Sequence, residues 1–223
     1  MRVVSSCGQH PIEGGGRRDH TAWSMPNVAI LDDHPAVLAG LRRLIESEPD
    51  LTVVAAAPSA PELATQLDGV RPDVLVLDYD LARGDGLAHC QRIKNRRRPP
   101  AVLIYSAYAS AALTLAARAA QADGVVDKSE PAPTLVTAIR RVADGGTVMP
   151  SVPRDAYRAA AARIDDTDLP VLAMLLDGES LDAISETLHA RRAEVGWRAQ
   201  RIVGRLRPRA RARAELRAPS PHS

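Results

Sequence analysis

Val28–Pro35 reads VAILDDHP and Val74–Asp80 reads VLVLDYD. Each is a short apolar run closed by acids, Asp32 and Asp33 in the first case and Asp78 in the second. Two further runs follow: Val102–Tyr105 (VLIY) leads into Ser106, and Gly124–Asp127 (GVVD) leads into Lys128. Runs this short and rich in Val, Ile and Leu predict strands buried on both faces. Between and after them, Val37, Leu38, Leu41, Leu44 and Ile45, then Leu87, Cys90 and Ile93, then Thr134–Val142 carry helical spacing. The alternation predicts an α/β fold, a doubly wound parallel sheet of five strands. Such sheets bring the carboxyl ends of their strands to one edge, where ligands bind. Asp32, Asp33, Asp78, Ser106 and Lys128 are therefore expected in one pocket.

Three carboxylates in one cleft repel each other and need a cation or a proton. A hard divalent ion such as Mg²⁺ suits them, because it takes oxygen ligands and retains water. With that ion and Lys128 neutralising an incoming phosphoryl group, Asp78 is placed to attack phosphorus and form an acyl phosphate. Ser106 and Lys128 can each contact a phosphoryl oxygen. Singly, each acid could be a strand-end cap and Lys128 a solvated side chain; their order along the chain argues for a shared site. Asp78-Tyr79-Asp80 also fits the Asp-x-Asp of haloacid-dehalogenase-like phosphatases, with Asp78 as nucleophile and Asp80 as acid/base. That motif normally sits on the first strand, and here two strands and the Asp32-Asp33 pair precede it.

Residues 26–145 resemble the receiver domain of two-component response regulators. The resemblance is carried by VAILDDHP, VLVLDYD, Gly84-Asp85-Gly86, Ile104–Ala107 (IYSA) and Asp123–Ser129 (DGVVDKS). It implies a flavodoxin-like fold and a phosphoacceptor role for Asp78. It further implies Mg²⁺ held by Asp32, Asp33, Asp78 and the backbone carbonyl of Asp80, with Ser106 and Lys128 sensing the phosphate. The chain departs from the family pattern at Val125, often aromatic there, at Ala82 and Ser129, where proline is common, and in the extra acid Asp80.

The C-terminal third has a different character. The formal net charge is only +2, but nine arginines and a single acid, Glu194, lie between Arg191 and Arg213. Such asymmetry marks a nucleic-acid-binding end. Leu169, Leu172, Leu175 and Leu176 predict one helix, with Pro170 delaying its start and Gly178 as its C-cap. Ser180 is placed to cap a second helix with Leu181, Ile184 and Leu188 on its core face. A turn at His189–Arg191 leads to a third, with Val195, Ala199, Ile202, Val203 and Leu206 inward. Two helices, a tight turn and a basic third helix are the pattern of a helix-turn-helix.

Residues 164–216 resemble the LuxR-type DNA-binding domain of NarL/FixJ-family regulators. The matching pieces are Val171-Leu172, Gly178–Leu188 (GESLDAISETL), Val195, Arg201-Ile202 and Arg213–Leu216 (RAEL). DNA contacts are expected from Arg192, Trp197, Arg198, Arg201 and Arg205, with Arg198 and Arg201 reaching guanine and Trp197 packing or touching the backbone. Gly196 and Gly204 inside this helix each cost about 1 kcal/mol relative to Ala.

Cys7 and Cys90 are far apart without metal spacing, and Cys90 reads as a small buried hydrophobe. No apolar run reaches the ~20 residues of a membrane span, and residues 1–24 lack the apolar core of a secretory signal. A reduced, cytoplasmic protein without membrane contact is expected. The expected organisation is an N-terminal disordered extension over 1–25, the receiver over 26–145, a partly helical linker over 146–163, the small all-α helix-turn-helix domain over 164–216, and a disordered tail over 217–223. Met25, directly before the first strand, is a candidate start.

The reading is a DNA-binding response regulator of a two-component phosphorelay, phosphorylated on Asp78 by a cognate histidine kinase. It binds double-stranded DNA, forms a homodimer on phosphorylation and regulates transcription. No enzymatic activity is expected beyond its own phosphoryl transfer and autodephosphorylation. Two alternatives stand beside it: a phosphorylation-independent interaction module with a degenerate DNA-binding domain, and the phosphatase built on Asp78 and Asp80.

Overall fold

The strands expected from the four apolar runs are β1 (Asn27–Leu31), β3 (Val74–Asp78), β4 (Ala101–Ser106) and β5 (Gly124–Asp127), joined by β2 (Thr52–Ala57). These elements come from a computed structural model that describes residues 25–81 and 85–208. The expected extension up to Ser24, Ala82, Gly84, the Arg213–Leu216 motif and the tail from 217 lie outside the described residues.

All five strands pair in parallel in the order β2-β1-β3-β4-β5. Five helices connect or follow them: α1 (Pro35–Glu46), α2 (Ala60–Leu67), α3 (Gly86–Lys94), α4 (Ala111–Ala119) and α5 (Ala132–Ala143). The strands read as unbroken apolar runs because both faces are covered. Val28, Ile30, Val74 and Val76 face Ile45 of α1 and Ile139 of α5 in one apolar cluster. Their neighbours Ala29, Leu31, Leu75 and Leu77 face Leu63, Leu87 and Leu113 of α2, α3 and α4 in the other. Each fully buried side chain of this size contributes about 1.5–3 kcal/mol. The doubly wound sheet is as expected.

Local signals start the helices where they are needed. Ser59 caps α2, its Oγ accepting from Glu62 N while its hydroxyl donates to Glu62 Oε1. Asp85 caps α3 through Leu87 N, and Ser110 caps α4 through Leu113 N.

Beyond α5 the chain forms α6 (Arg154–Ala161), a 3-10 turn (Asp166–Asp168), α7 (Leu169–Leu176), α8 (Leu181–Thr187) and α9 (Arg192–Leu206). Pro170 occupies the first turn of α7, where its missing N–H costs nothing. Gly178 ends α7 at φ +88°, with Gly178 N donating to Leu175 O and Glu179 N to Met174 O. That is the paired hydrogen bonding of a Schellman cap, which favours glycine. Ser180 caps α8 as expected, accepting from Ala183 N. The face of α7 differs from the leucine stripe: Val171, Leu172 and Leu175 are buried, while Leu169 and Leu176 are only half-buried.

The helical unit does not hang free. One apolar cluster runs from Leu115, Ala116 and Ala119 of α4 into Val171, Leu175, Ile202 and Leu206. Ala160 of α6, inside the expected linker, is buried in the same cluster. Gln121 Nε2 donates to Glu179 O at 3.0 Å, Arg118 to Leu176 O, and Arg207 at the end of α9 pairs with Asp85. Among the described residues no helix is long and apolar enough to cross a membrane.

Candidate functional site

Leu31 and Leu77 are register partners on adjacent parallel strands, so Asp32 and Asp78 sit at the same level of the sheet edge. Both are almost fully buried, at 1% and 2% exposure. Lys128 follows β5, its backbone N–H donating to Ser106 O at 2.8 Å. Its side chain crosses the strand ends to place Nζ 2.6 Å from Asp32 Oδ2 and 3.2 Å from Asp78 Oδ1. Asp80 enters through its backbone, N–H donating to Asp78 Oδ1 at 3.2 Å. The sheet edge thus gathers the acids and Lys128 from sequence positions almost a hundred residues apart.

One member of the cluster was not foreseen. His34 Nδ1 lies 2.9 Å from Asp33 Oδ1, 3.3 Å from Asp32 Oδ1 and 4.0 Å from Asp78 Oδ2. Asp32, Asp33, His34 and Asp78 each offer a ligand atom within 4.8 Å of the others. The signal was present in VAILDDHP, directly after the acid pair. The donor set is rich in hard oxygen, and Asp78 Oδ2 is buried without a hydrogen-bond partner. Both features fit a small divalent cation such as Mg²⁺.

Burial raises the Asp78 carboxyl above its ordinary value; the Asp32 charge adds to this and Lys128 opposes it. For Lys128, burial works against the charged form, but the hydrogen bond to Asp32 and the Asp78 charge outweigh it and hold the ammonium above its usual range. The two directions are compatible because the tighter partner of Lys128 is Asp32. Ser106 is fully buried, its Oγ accepting from Tyr108 N at 3.1 Å. Val125 is buried and supplies no ring, as its identity dictates. The aromatic group near Lys128 comes instead from β4: the Tyr105 ring centroid is 5.4 Å from Nζ, and burial raises its phenol. Tyr105 stood within IYSA but carried no expectation.

Gly86 explains the third motif. A Cβ there would lie 2.5 Å from Asp78 O and 2.8 Å from Tyr79 Cα. Only glycine lets α3 begin this close to the end of β3. Cys90 on α3 is fully buried, its thiol pushed up to about 12 by desolvation, as a small hydrophobe should be.

Four arginines of the basic helix α9 have carboxylate partners. Val195, Ala199, Ile202, Val203 and Leu206 face inward as predicted. Arg198 and Arg201, expected to reach guanine, converge in this structure on Asp168, which is 1% exposed: Arg198 Nε is 2.9 Å from Oδ1 and Arg201 Nε 2.8 Å from Oδ2. Arg205 pairs with Asp165 and Arg192 with Asp182, both at 2.6 Å. A buried carboxylate demands cationic partners, and sequence periodicity does not show that one lies thirty residues upstream. Trp197 is 59% exposed, with the Arg201 guanidinium 4.4 Å from its ring centroid. Gly196 and Ala199 line a small crevice with Ala119, the last residue of α4, and Ala120 just after it, so part of α9 faces the sheet domain.

The family model for the response regulator receiver domain matches residues 28–140. The crystal structure of a two-component response regulator, LuxR family, from Aurantimonas sp. SI85-9A1 is 32% identical, covers 62% of this chain and 97% of its own, and superposes with a TM-score of 0.53. The chain belongs to the LuxR family of two-component response regulators. This response regulator is also 29% identical over 202 residues to the DNA-binding transcriptional activator DevR/DosR of Mycobacterium tuberculosis, covering 86% of this chain and 93% of that one. At 22% identity, RcsB of Salmonella enterica serovar Typhimurium, solved bound to promoter P1flhDC, shares the fold of both halves, with a TM-score of 0.54 over 82% of this chain and 92% of its own.

Proposed function

We propose that this response regulator controls transcription by binding double-stranded DNA, and that a histidine kinase switches it by phosphorylating Asp78. The observation that carries the reading is the meeting of Asp78 with Lys128, Asp32 and Asp33 at one sheet edge, in a chain that continues into a helix-turn-helix. In the transfer, a carboxylate oxygen of Asp78 bonds to phosphorus as the phosphorus–nitrogen bond of the donor histidine breaks. The electron pair returns to the imidazole, which takes up a proton. Asp32, Asp33, Asp78 and the Asp80 carbonyl would hold Mg²⁺, which supplies charge neutralisation to the phosphoryl oxygens. Lys128 is within reach of a group attached to Asp78 Oδ1, and forming that contact means loosening its hold on Asp32. Ser106, held by Tyr108 N–H, would turn to hydrogen-bond another phosphoryl oxygen.

Such a change has a route to the helix-turn-helix. Ser106 and Tyr108 lead into α4, and α4 packs on α7 and α9. Arg207 pairs with Asp85 just beyond β3. A shift at either contact would free the part of α9 that faces α4 and allow two copies to pair on DNA half-sites. The relative from M. tuberculosis, named a DNA-binding transcriptional activator, supports this output. Arg198 and Arg201 are held by the buried Asp168, whereas Arg192 and Arg205 pair with the exposed Asp182 and Asp165 and can exchange these for phosphate, so DNA contacts fall to Arg192, Trp197 and Arg205.

The test is intact-protein mass after acetyl phosphate and Mg²⁺, followed by DNA-site selection. One phosphoryl adduct, absent in Asp78→Asn, together with tighter DNA binding supports the proposal. Absence of an adduct under conditions that label another receiver would replace it with the phosphorylation-independent module.

A further inference from the structure

On the α2/α3 side of the sheet, away from the acid cluster, a cavity of about 790 Å³ opens between β1, β3, α2 and α3. Protein interiors normally leave few voids larger than a water molecule, and ligand pockets run from about 300 to 1,000 Å³. On the α2 side the space is bounded by the small side chains of Ala60 and Ala64. Its floor is aliphatic: Ala29, Leu31, Leu63 and Leu75 are buried, and Ile93 is half-buried. Val70 lies at the cavity wall with 48% of its surface exposed.

The rim has a single sign of charge. Arg71, Arg92, Arg96, Arg97 and Arg98 line it, all exposed, and among the described residues no acid does. Among the described residues Arg71, Arg96, Arg97 and Arg98 form no ion pair with a carboxylate, in contrast to the arginines of α9. Arg92 Nη2 sits 2.7 Å from His89 Nδ1 at the same rim. Burial and the Arg92 charge lower the His89 pKa, which leaves the imidazole neutral and able to accept from the guanidinium. Among the described residues no carboxylate, amide or hydroxyl side chain lines the cavity. Aliphatic walls under a ring of guanidinium groups match a ligand with an alkyl body and an anionic head, the pairing guanidinium makes with carboxylate or phosphate.

We propose that this cavity binds a single-chain anionic amphiphile, its alkyl chain along Leu67, Val70 and Ile93 and its carboxylate or phosphate head among Arg96, Arg97 and Arg98. The site is separate from the phosphoacceptor cluster: none of Asp32, Asp33, Asp78 or Lys128 lines it.

The experiment is equilibrium dialysis of the full chain against labelled dodecanoate and dodecyl phosphate below their micellar concentrations. Dodecyltrimethylammonium and anionic phospholipid vesicles form parallel arms. Saturable one-to-one binding of either anion is expected. It should weaken tenfold or more in Arg97→Glu/Arg98→Glu and be lost in Ala64→Trp, which plugs the cavity from an exposed helix position. Unchanged acetyl-phosphate labelling and thermal melting show that each variant is folded, and this readout is independent of the amphiphile. No saturable binding, equal binding of the cationic amphiphile, adsorption to vesicles alone, or binding indifferent to both substitutions overturns the proposal.

Discussion

Lys128 Nζ is closer to Asp32 Oδ2, at 2.6 Å, than to Asp78 Oδ1, at 3.2 Å. The lysine is thus the resident counter-charge of the acid pair as well as a neighbour of the expected phosphoacceptor. Removing it in Lys128→Ala leaves two almost fully buried carboxylates without their cation. The loss should be about 3 kcal/mol of folding stability, the lower end for breaking a buried ion pair. Urea unfolding of the two proteins measures it. Millimolar Mg²⁺ should restore part of the difference, since a bound cation stabilises the state that holds it.

Asp78→Asn should move stability the other way. Asp78 Oδ2 is buried without a hydrogen-bond donor, beside Asp32 and Asp33. An amide there removes one of three clustered negative charges and adds a donor to the acids around it. In metal-free buffer the variant is expected to gain about 1 kcal/mol, the usual net worth of one satisfied polar group, visible as a raised Tm. An unchanged or lowered Tm would mean that the acids are already fully compensated.

Asp168 gives the helical unit an acid-sensitive anchor. Burial works to raise its carboxyl, but the hydrogen bonds from Arg201 and Arg198 more than reverse this and hold it below the usual carboxylate range. The folded-state value being the lower one, its contribution is complete above the unfolded value of about 4 and fades as pH falls through the folded value. Asp168→Asn should therefore destabilise the unit at pH 7 by about 3 kcal/mol. It should also flatten the acid limb of a Tm-versus-pH curve. Parallel wild-type and variant curves below pH 4 would argue against this assignment.

Two glycines should respond oppositely to alanine. At Gly204 a Cβ meets nothing within 4 Å, and the residue lies inside α9, so Gly204→Ala should stabilise by about 1 kcal/mol. At Gly86 the same methyl collides with backbone at Asp78 and Tyr79. Gly86→Ala should displace α3 and slow acetyl-phosphate labelling of Asp78, an effect read by mass spectrometry at matched folded fraction.

Much of the site was legible because its residues close strands. Asp32, Asp33, Asp78 and Lys128 each follow an apolar run, and parallel strands carry their carboxyl ends to one edge whatever lies between. His34 was marked only by its place directly after the acid pair, and Tyr105, an aromatic inside a strand, had no marker. The α9 arginines illustrate the opposite limit. Helical spacing separates Val195, Ala199, Ile202, Val203 and Leu206 from the charged positions, yet does not say which charge meets which. Arg198 and Arg201 found Asp168 in a 3-10 turn thirty residues earlier.

The order of apolar runs, caps and glycines by itself determined a doubly wound sheet, a helix-turn-helix and the edge at which the acids meet. These are consequences of local periodicity and chain direction. Tertiary structure alone decided the partners of the charges: Lys128 on Asp32, Arg198 and Arg201 on Asp168, Arg207 on Asp85. It also decided the docking of α9 against α4 and the cavity left open under α2. Those outcomes depend on distances between segments far apart in the chain, where burial makes an unpaired charge costly.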